Sequence, residues 1–263
     1  MKKVCLFVLG FASLFRTSAT HAAFADAVVS YEAGSGAASG FNNVSTVLGA
    51  PTATADPFTP PFRNTQLLSI GGGGHLTVQF SSPIANDAGN PFGMDFLVFG
   101  NSGFVITNGI FSGGGITDGS VFGNNVGATR VSVSADNITY YQLNPALAPV
   151  ADGLFPTDGS GNYNAPVNPS LTRSDFAGQG LSGIRALYNG AAGGTAYDIG
   201  WAQDQFGNSV SLPAVSFVRV DVLSGKSELD AFAVVPEPGA ASLVALAVSL
   251  GFGAWIRWRR AQR

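Results

Sequence analysis

Short apolar runs, separated by clusters of Gly, Asn, Asp and Pro, recur along residues 26–234 and most strongly limit what this chain can fold into. Val, Thr, Phe and Ile are frequent in these runs, whereas helix formers such as Glu and Lys are scarce. Branched and aromatic residues favour strands, and the residue types between the runs favour turns. Since 46% of the residues are hydrophobic, the chain can also build a core. The pattern predicts an all-β body with no helix.

Several runs predict individual strands. Leu76, Val78 and Phe80 alternate with polar residues, which is typical of a half-buried strand. We expect residues 66–70 to form its hairpin partner across the intervening glycines, and residues 94–99 to form a central strand. Further strands are predicted at 130–134, 138–143, 183–188, 215–223 and 229–235. Many short strands joined by such turns indicate an antiparallel β-sandwich of the jelly-roll type.

The N-terminal residues 1–25 have the pattern of a secretory signal peptide. Two lysines precede an apolar run at residues 4–15, which is too short to span a bilayer. Small residues allow cleavage after either Ala22 or Ala25. The sequence therefore predicts export through the Sec pathway, with the domain boundary placed after residue 25.

The exported part of the chain is acidic. Residues 26–238 carry six of the thirteen basic residues but all sixteen acidic ones, a balance of −10. A nucleic-acid-binding domain needs a basic surface, so this balance argues against nucleic acid as a partner.

The C-terminal residues 235–263 have three consecutive parts. Val235, Pro236, Glu237 and Pro238 form a stiff, extended tetrapeptide, because the two prolines cannot join a helix. Residues 239–256 then carry no charge and would span about 27 Å as a helix. Four arginines follow, and a basic cluster of this kind stays on the cytoplasmic side of a membrane: Arg257, Arg259, Arg260 and Arg263.

This order of motif, apolar helix and arginine cluster resembles the PEP-CTERM sorting signal of Gram-negative bacteria. The resemblance implies that an exosortase, a membrane cysteine peptidase, recognises the motif around Glu237 and processes the tail. It also implies a host that makes exopolysaccharide. We therefore expect the inner membrane to hold the protein only temporarily, before transfer to the cell surface or the extracellular matrix.

The body resembles, more loosely, a group of secreted bacterial cell-surface β-proteins. The resemblance lies in five segments: 48–52, 69–76, 95–101, 197–202 and 228–232. Gly100 stands where that group has a glutamate. The resemblance implies architecture and assigns no activity.

Few residues of the body could carry catalysis or thiol chemistry. The only cysteine, Cys5, lies in the signal segment, and His75 is the only histidine beyond that segment. A thiolate or multi-histidine metal site is thereby excluded, and no Gly-x-Ser-x-Gly elbow occurs. We predict that the protein is not an enzyme. Trp201 could stack on a sugar ring, although a tryptophan with apolar neighbours more often belongs to a core.

A structural calcium ion is the predicted cofactor. Calcium takes carboxylate and carbonyl oxygens, and the body is rich in Asp, Asn and Gly. We expect a site assembled from strand ends, with Asp95, Asn101, Asp198 and Asp230 as ligands. Turn formation is the alternative role of these residues.

Together these features predict three parts: a signal peptide at 1–25, a β-sandwich extracellular domain at 26–234 and a sorting tail at 235–263. The predicted function is that of a non-enzymatic surface or biofilm-matrix protein with exosortase as partner. A carbohydrate-binding module that recognises extracellular polysaccharide is the alternative. A hydrolase of matrix polysaccharide is a third possibility.

Overall fold

The structure is a computed structural model that describes residues 24–123 and 127–237. The predicted signal segment, the apolar run at 239–256 and the four terminal arginines therefore lie outside the described residues, as does Pro238. Within the described ranges, no helix is long and apolar enough to cross a membrane.

The described residues form twelve β-strands and one α-helix. The strands are β1 (Ala27–Glu32), β2 (Leu68–Gly71), β3 (His75–Ala85), β4 (Phe96–Gly100), β5 (Gly103–Phe104), β6 (Val121–Phe122), β7 (Ala128–Ser134), β8 (Tyr141–Leu143), β9 (Thr195–Tyr197), β10 (Ala202–Gln203), β11 (Ala214–Ser224) and β12 (Lys226–Val234). The helix, α1, covers Leu181–Tyr188. Short 3-10 turns lie at Val44–Val47, Pro91–Gly93, Arg173–Phe176 and Ile199–Trp201. All strand ladders are antiparallel, so the predicted all-β class is confirmed.

The strands form two large sheets and one small one. The order is β1-β3-β11-β7-β8-β10 in the six-stranded sheet, β2-β12-β4-β9 in the four-stranded sheet, and β5-β6 in the small one. Fully buried side chains of both large sheets join in one core, with Val78 and Val220 from the first, and Ile70, Phe96 and Leu229 from the second. The sheets thus enclose a shared hydrophobic core.

Strand alternation decides what each face of the six-stranded sheet displays. In β11, Val218, Val220 and Val222 point into the core, so Arg219 and Asp221 lie on the opposite face. The neighbouring strand β7 alternates in the same way. The outer face is therefore polar, while the inner face is apolar.

The predicted hairpin between residues 66–70 and 76–80 is wrong. β2 pairs with β12 in the four-stranded sheet, whereas β3 pairs with β1 and β11 in the other sheet. The glycines between β2 and β3 lead the chain from one sheet to the other, where its backbone packs closely against the backbone that follows β1. A Cβ on Gly71 would lie 2.2 Å from the Ser35 carbonyl oxygen, and one on Gly74 would lie 2.4 Å from that of Glu32.

The predicted strand at 183–188 is also wrong, because these residues belong to α1. Ile184 and Tyr188 are buried, and their spacing of four places them on one helical face. Asn189 ends the helix in a left-handed conformation, with φ of 51°. In contrast, β4 lies between β12 and β9 in the sheet, as predicted for a central strand, and the predicted strands at 130–134 and 138–143 correspond to β7 and β8, which form an antiparallel pair.

Phe24 and Ala25 belong to the folded body. Ala25 is 1% exposed, its N–H donates to the Phe232 carbonyl at 3.1 Å, and its own carbonyl accepts from the Gly49 N–H at 3.0 Å. Phe24 bridges to β12 and packs edge-on against Tyr163. The first described residues are therefore tied to β12, the strand that precedes the predicted sorting motif.

Candidate functional site

A row of polar side chains crosses the outer face of the six-stranded sheet. Register places Arg219 beside Thr77 on one side and Ser132 on the other. Ser132 pairs with Gln142, which pairs in turn with Gln203. The five residues come from five neighbouring strands, so their side chains share one line across the sheet.

A charged row runs next to it. His75 lies opposite Asp221 on β11, and Asp221 lies opposite Arg130 on β7. Arg130 donates to Asp221 Oδ2 through Nε and Nη2, both at 3.2 Å. Arg219 donates to Asp221 Oδ1 from Nε at 2.9 Å, and its Nη2 lies at the same distance. Two guanidinium groups thus flank one nearly buried carboxylate.

His75 completes the charged row at its far end. Its Nε2 lies 3.2 Å from the Ser30 hydroxyl oxygen, and its Nδ1 lies 3.7 Å from a Glu32 carboxylate oxygen. These contacts engage both ring nitrogens with neighbours on β1. The contacts of the His75 side chain are therefore structural ones between β3 and β1.

A groove of about 600 Å³ opens over the two rows at the β7–β8–β10 side. We call it the outer groove. Its walls come from β7, β8, β11 and the loop after β10. The lining residues are Arg130, Ser132, Tyr140, Gln142, Pro145, Gln203, Asp204, Gln205, Gly207, Arg219 and Asp221.

The loop after β10 carries an exposed aromatic residue, Phe206, between the groove-lining residues Gln205 and Gly207. Asp204 Oδ1 accepts from the N–H groups of Phe206 at 2.8 Å and Asn208 at 2.9 Å, and Asp204 Oδ2 accepts from the Asn208 amide. Gly207 supplies the positive φ of 81° that this turn needs. These hydrogen bonds fix the loop. Within it, Phe206 is 79% exposed to solvent.

The carboxylate of Asp204 is held in its ionised form. Hydrogen bonds from the Asn208 side chain and backbone, and from the backbone of Phe206 and Gly207, lower the pKa of Asp204 below its ordinary value. On the same groove, burial raises the pKa of Tyr140, although the Thr77 hydroxyl and the Arg219 charge act in the opposite direction. The Tyr140 hydroxyl donates to Asn137 Oδ1 at 2.6 Å.

The four predicted calcium ligands do not meet at one ion. Asp95 directly precedes β4 and Asn101 directly follows it, so the strand separates them by about 20 Å. Among the described residues, no group of three or more His, Cys, Asp or Glu side chains is arranged to hold a metal. Calcium binding elsewhere in the chain stays a prediction.

Asp95 and Asp198 lie close enough to interact electrostatically, but both serve the backbone. The Asp95 carboxylate accepts from the N–H groups of Asp87 and Ile199 and from the Asn90 amide. Burial raises the pKa of Asp95, and these hydrogen bonds partly offset the effect. Asp198 caps the following turn by accepting from the Gly200 N–H at 2.6 Å.

Asp230 and Asn101 have separate partners as well. The nearly buried Asp230 carboxylate accepts from the Thr52 N–H at 2.8 Å and the Thr52 hydroxyl at 2.9 Å. Asn101 donates through its amide to Glu228, which also accepts from Lys226.

Gly100 leaves room for a neighbouring carboxylate. A Cβ at this position would lie 2.5 Å from the Asp152 Cβ. Asp152 therefore fills the space that a side chain at position 100 would need.

Trp201 lies away from the outer groove. It is half-buried and packs against the shared core and against the cluster around Phe99. One side lines an apolar cavity of about 180 Å³ together with Pro149 and Phe155. Most of its contacts are those of a core residue.

The predicted sorting motif begins inside the folded body. The Val235 side chain is buried, and its N–H donates to the Asp95 carbonyl at 2.8 Å. Pro236 and Glu237 are exposed directly after β12. The described part of the motif is thus anchored at its valine and accessible at its glutamate.

No family model matches this chain, and no curated protein matches it either.

Sequence reasoning did not find the outer groove. A signal was present in the sequence, because Arg130 and Ser132 alternate with valines, as do Arg219 and Asp221. Their meeting depends on the register between strands that lie far apart in the sequence.

Proposed function

We propose that this chain is a non-enzymatic protein of the cell surface or extracellular matrix, exported by the Sec pathway and sorted by an exosortase. The exposure of Pro236 and Glu237 next to the buried Val235 supports this proposal. A peptidase needs an accessible substrate, and here the accessible segment starts immediately beyond the last strand.

We also propose that the body is a jelly-roll β-sandwich. The orders β2-β12-β4-β9 and β3-β11-β7-β8 support this description, because they match two Greek keys wound into eight strands. Strands β1 and β10 then extend the second sheet at its edges.

The outer groove favours glycan binding as the activity of this surface protein. Sugars combine many hydroxyl groups with small apolar faces, so a sugar site needs planar polar side chains and an exposed aromatic ring. The groove is lined by Arg130, Arg219 and Gln142. The exposed Phe206 lies in the loop after β10, between two residues that also line the groove. This juxtaposition carries the proposal.

The same groove supports binding rather than hydrolysis. A glycosidase needs one carboxylic acid with a raised pKa to protonate the leaving oxygen. The hydrogen bonds of its own loop lower the pKa of Asp204, and two arginines engage Asp221. Asp204 is therefore not suited to donate a proton, and the oxygens of Asp221 already accept hydrogen bonds from Arg130 and Arg219.

Deletion of residues 238–263 tests the sorting proposal. This truncation keeps Val235 and its hydrogen bond, so the fold should persist, as judged by circular dichroism. We expect the truncated protein to appear in the medium. A full-length Glu237→Gln variant should show the same loss of sorting. If the truncated protein still reached the same surface location, the sorting proposal would be rejected.

A glycan array tests the binding proposal. We expect Phe206→Ala to weaken binding, because the exposed ring is lost while the Asp204 hydrogen bonds to the backbone remain. Trp201→Ala is the matched control, since Trp201 lies outside the groove. Absence of binding to every glycan, or greater loss with Trp201→Ala in a folded protein, would reject this assignment.

A further inference from the structure

We infer that the outer groove binds an anionic glycan, with a sugar carboxylate received by the free N–H groups of Arg130 and Arg219. This inference rests on the proposed glycan binding and names the class of sugar. It follows from which hydrogen-bonding groups of the groove are already engaged and which are free.

The free groups of the groove include an excess of donors. Each guanidinium has five N–H groups, and no more than two of them on either arginine reach Asp221. Neither arginine has another partner among the described residues. The side-chain amides of Gln142 and Gln203 also lack partners in this part of the chain. The arginine side chains are 43% and 31% exposed, so a ligand can reach them.

The carboxylate oxygens of the groove are already engaged in hydrogen bonds. Both oxygens of Asp221 accept from the two arginines. Both oxygens of Asp204 accept from its own loop. A ligand that brings acceptors therefore satisfies this site better than one that brings only donors, and a carboxylate is the strongest acceptor found in sugars.

The arginines are held ready for such a ligand. Both guanidinium groups are hydrogen-bonded to Asp221, whose side chain is itself nearly buried. Little side-chain entropy is then lost on binding. Guanidinium groups also match the planar shape of a carboxylate, which a lysine would not do.

The attraction between the outer groove and an anionic ligand is local. The four charged residues that line the groove, Arg130, Arg219, Asp204 and Asp221, balance one another. The exported body is acidic as a whole. Specificity must therefore come from direct hydrogen bonds within the groove rather than from long-range attraction.

Calorimetry on the full chain in detergent micelles at neutral pH tests this inference. The probes are tetragalacturonate and its fully methyl-esterified form, which keep the same sugar rings but differ in charge. We expect the free acid to bind about tenfold more tightly, since hydrogen bonds between charged groups have this effect. Equal affinity for the two probes would overturn the inference.

Variants locate the site. Arg130→Gln and Arg219→Gln should each weaken binding of the acid about tenfold and weaken that of the ester less, which lowers the preference for the acid. Each variant keeps one arginine on Asp221, which limits the loss of stability. Gln142→Ala breaks no internal hydrogen bond of the described residues and should also weaken binding in a stably folded protein. Arg63→Gln is the control, because Arg63 lies over the Phe62 ring and outside the groove.

The outcomes separate the two proposals. Binding of neutral glycans alone would overturn the anionic inference but leave glycan binding intact. Absence of binding to any glycan would reject both. Acid-selective binding that survives Arg130→Gln, Arg219→Gln and Gln142→Ala would overturn the assignment to this groove.

Discussion

Asp230 should make the folded protein less stable as the pH rises from about 4 to about 7. Its carboxyl group is 2% exposed. Burial raises the pKa of Asp230 from 3.8 to about 6, even though the N–H and hydroxyl of Thr52 donate to it. The folded state therefore holds this proton more tightly than the unfolded state does.

The size and sign of the effect follow from proton linkage. Each tenfold change in acidity corresponds to about 1.4 kcal/mol, so the rise from 3.8 to about 6 corresponds to about 3 kcal/mol. This stabilisation is complete below the unfolded pKa. It is lost progressively as the pH rises through about 6.

The measurement compares the wild type with Asp230→Asn, which cannot titrate at this position. The free energy of unfolding of the tail-truncated protein is obtained from urea denaturation at several pH values. The other carboxylates titrate in both proteins, so the difference between the two curves isolates Asp230. We expect the wild type to lose about 2 kcal/mol relative to the variant between pH 4 and 7, because a part of the full stabilisation is already lost at pH 4.

Asp158→Asn supplies a control of opposite sign. Burial disfavours the charged form of Asp158, but hydrogen bonds from Arg185 and Ser160 outweigh it and lower the pKa of Asp158. The contribution of ionised Asp158 to the stability of the folded state should therefore be lost as the pH falls. Parallel curves for the wild type and Asp230→Asn would refute the reasoning on Asp230, and so would a wild type that gained stability relative to the variant with rising pH.

Three further predictions concern packing, processing and metal. Gly100→Ala should destabilise the protein by about 1–3 kcal/mol, because the added methyl group meets Asp152, whereas Gly72→Ala meets nothing closer than 3.7 Å and should be nearly neutral in thermal denaturation. The exported protein should begin at residue 23, because Ala25 is built into the core; an intact mass that corresponds to a start at Asp26 would contradict this. Calcium should raise the melting temperature if the predicted structural ion exists, and Asp198→Asn should leave that rise unchanged, since Asp198 caps the Ile199–Trp201 turn.

Features that depend on neighbours in the chain could be predicted from the sequence. The alternation of Leu76, Val78 and Phe80 is sufficient for a strand, because side chains of a strand point to opposite faces in turn. The composition of the runs and turns likewise predicts the all-β class. The sorting motif and its resemblance lie in one contiguous segment, so they too can be recognised without a fold.

Features that depend on which strand lies beside which could not be predicted in the same way. The glycines at 71–74 predict a change of chain direction, but they do not indicate whether the next strand joins the same sheet or the opposite one. The partner β12 lies more than a hundred residues away and decided this. At 183–188 a short apolar segment was compatible with both periodicities, and burial of Ile184 with Tyr188 selected the helix.

The sequence by itself determined that this protein is a β-rich chain and predicted a signal segment and a sorting tail, because these properties are local. Only the tertiary structure decided where its chemistry could lie. Arg130 and Asp221 are ninety-one positions apart and meet through the register of β7 with β11. Asp95 and Asn101, only six positions apart, are separated because an extended strand lies between them. Proximity in a sheet is set by pairing of distant strands, so the outer groove appears only when the chain is folded.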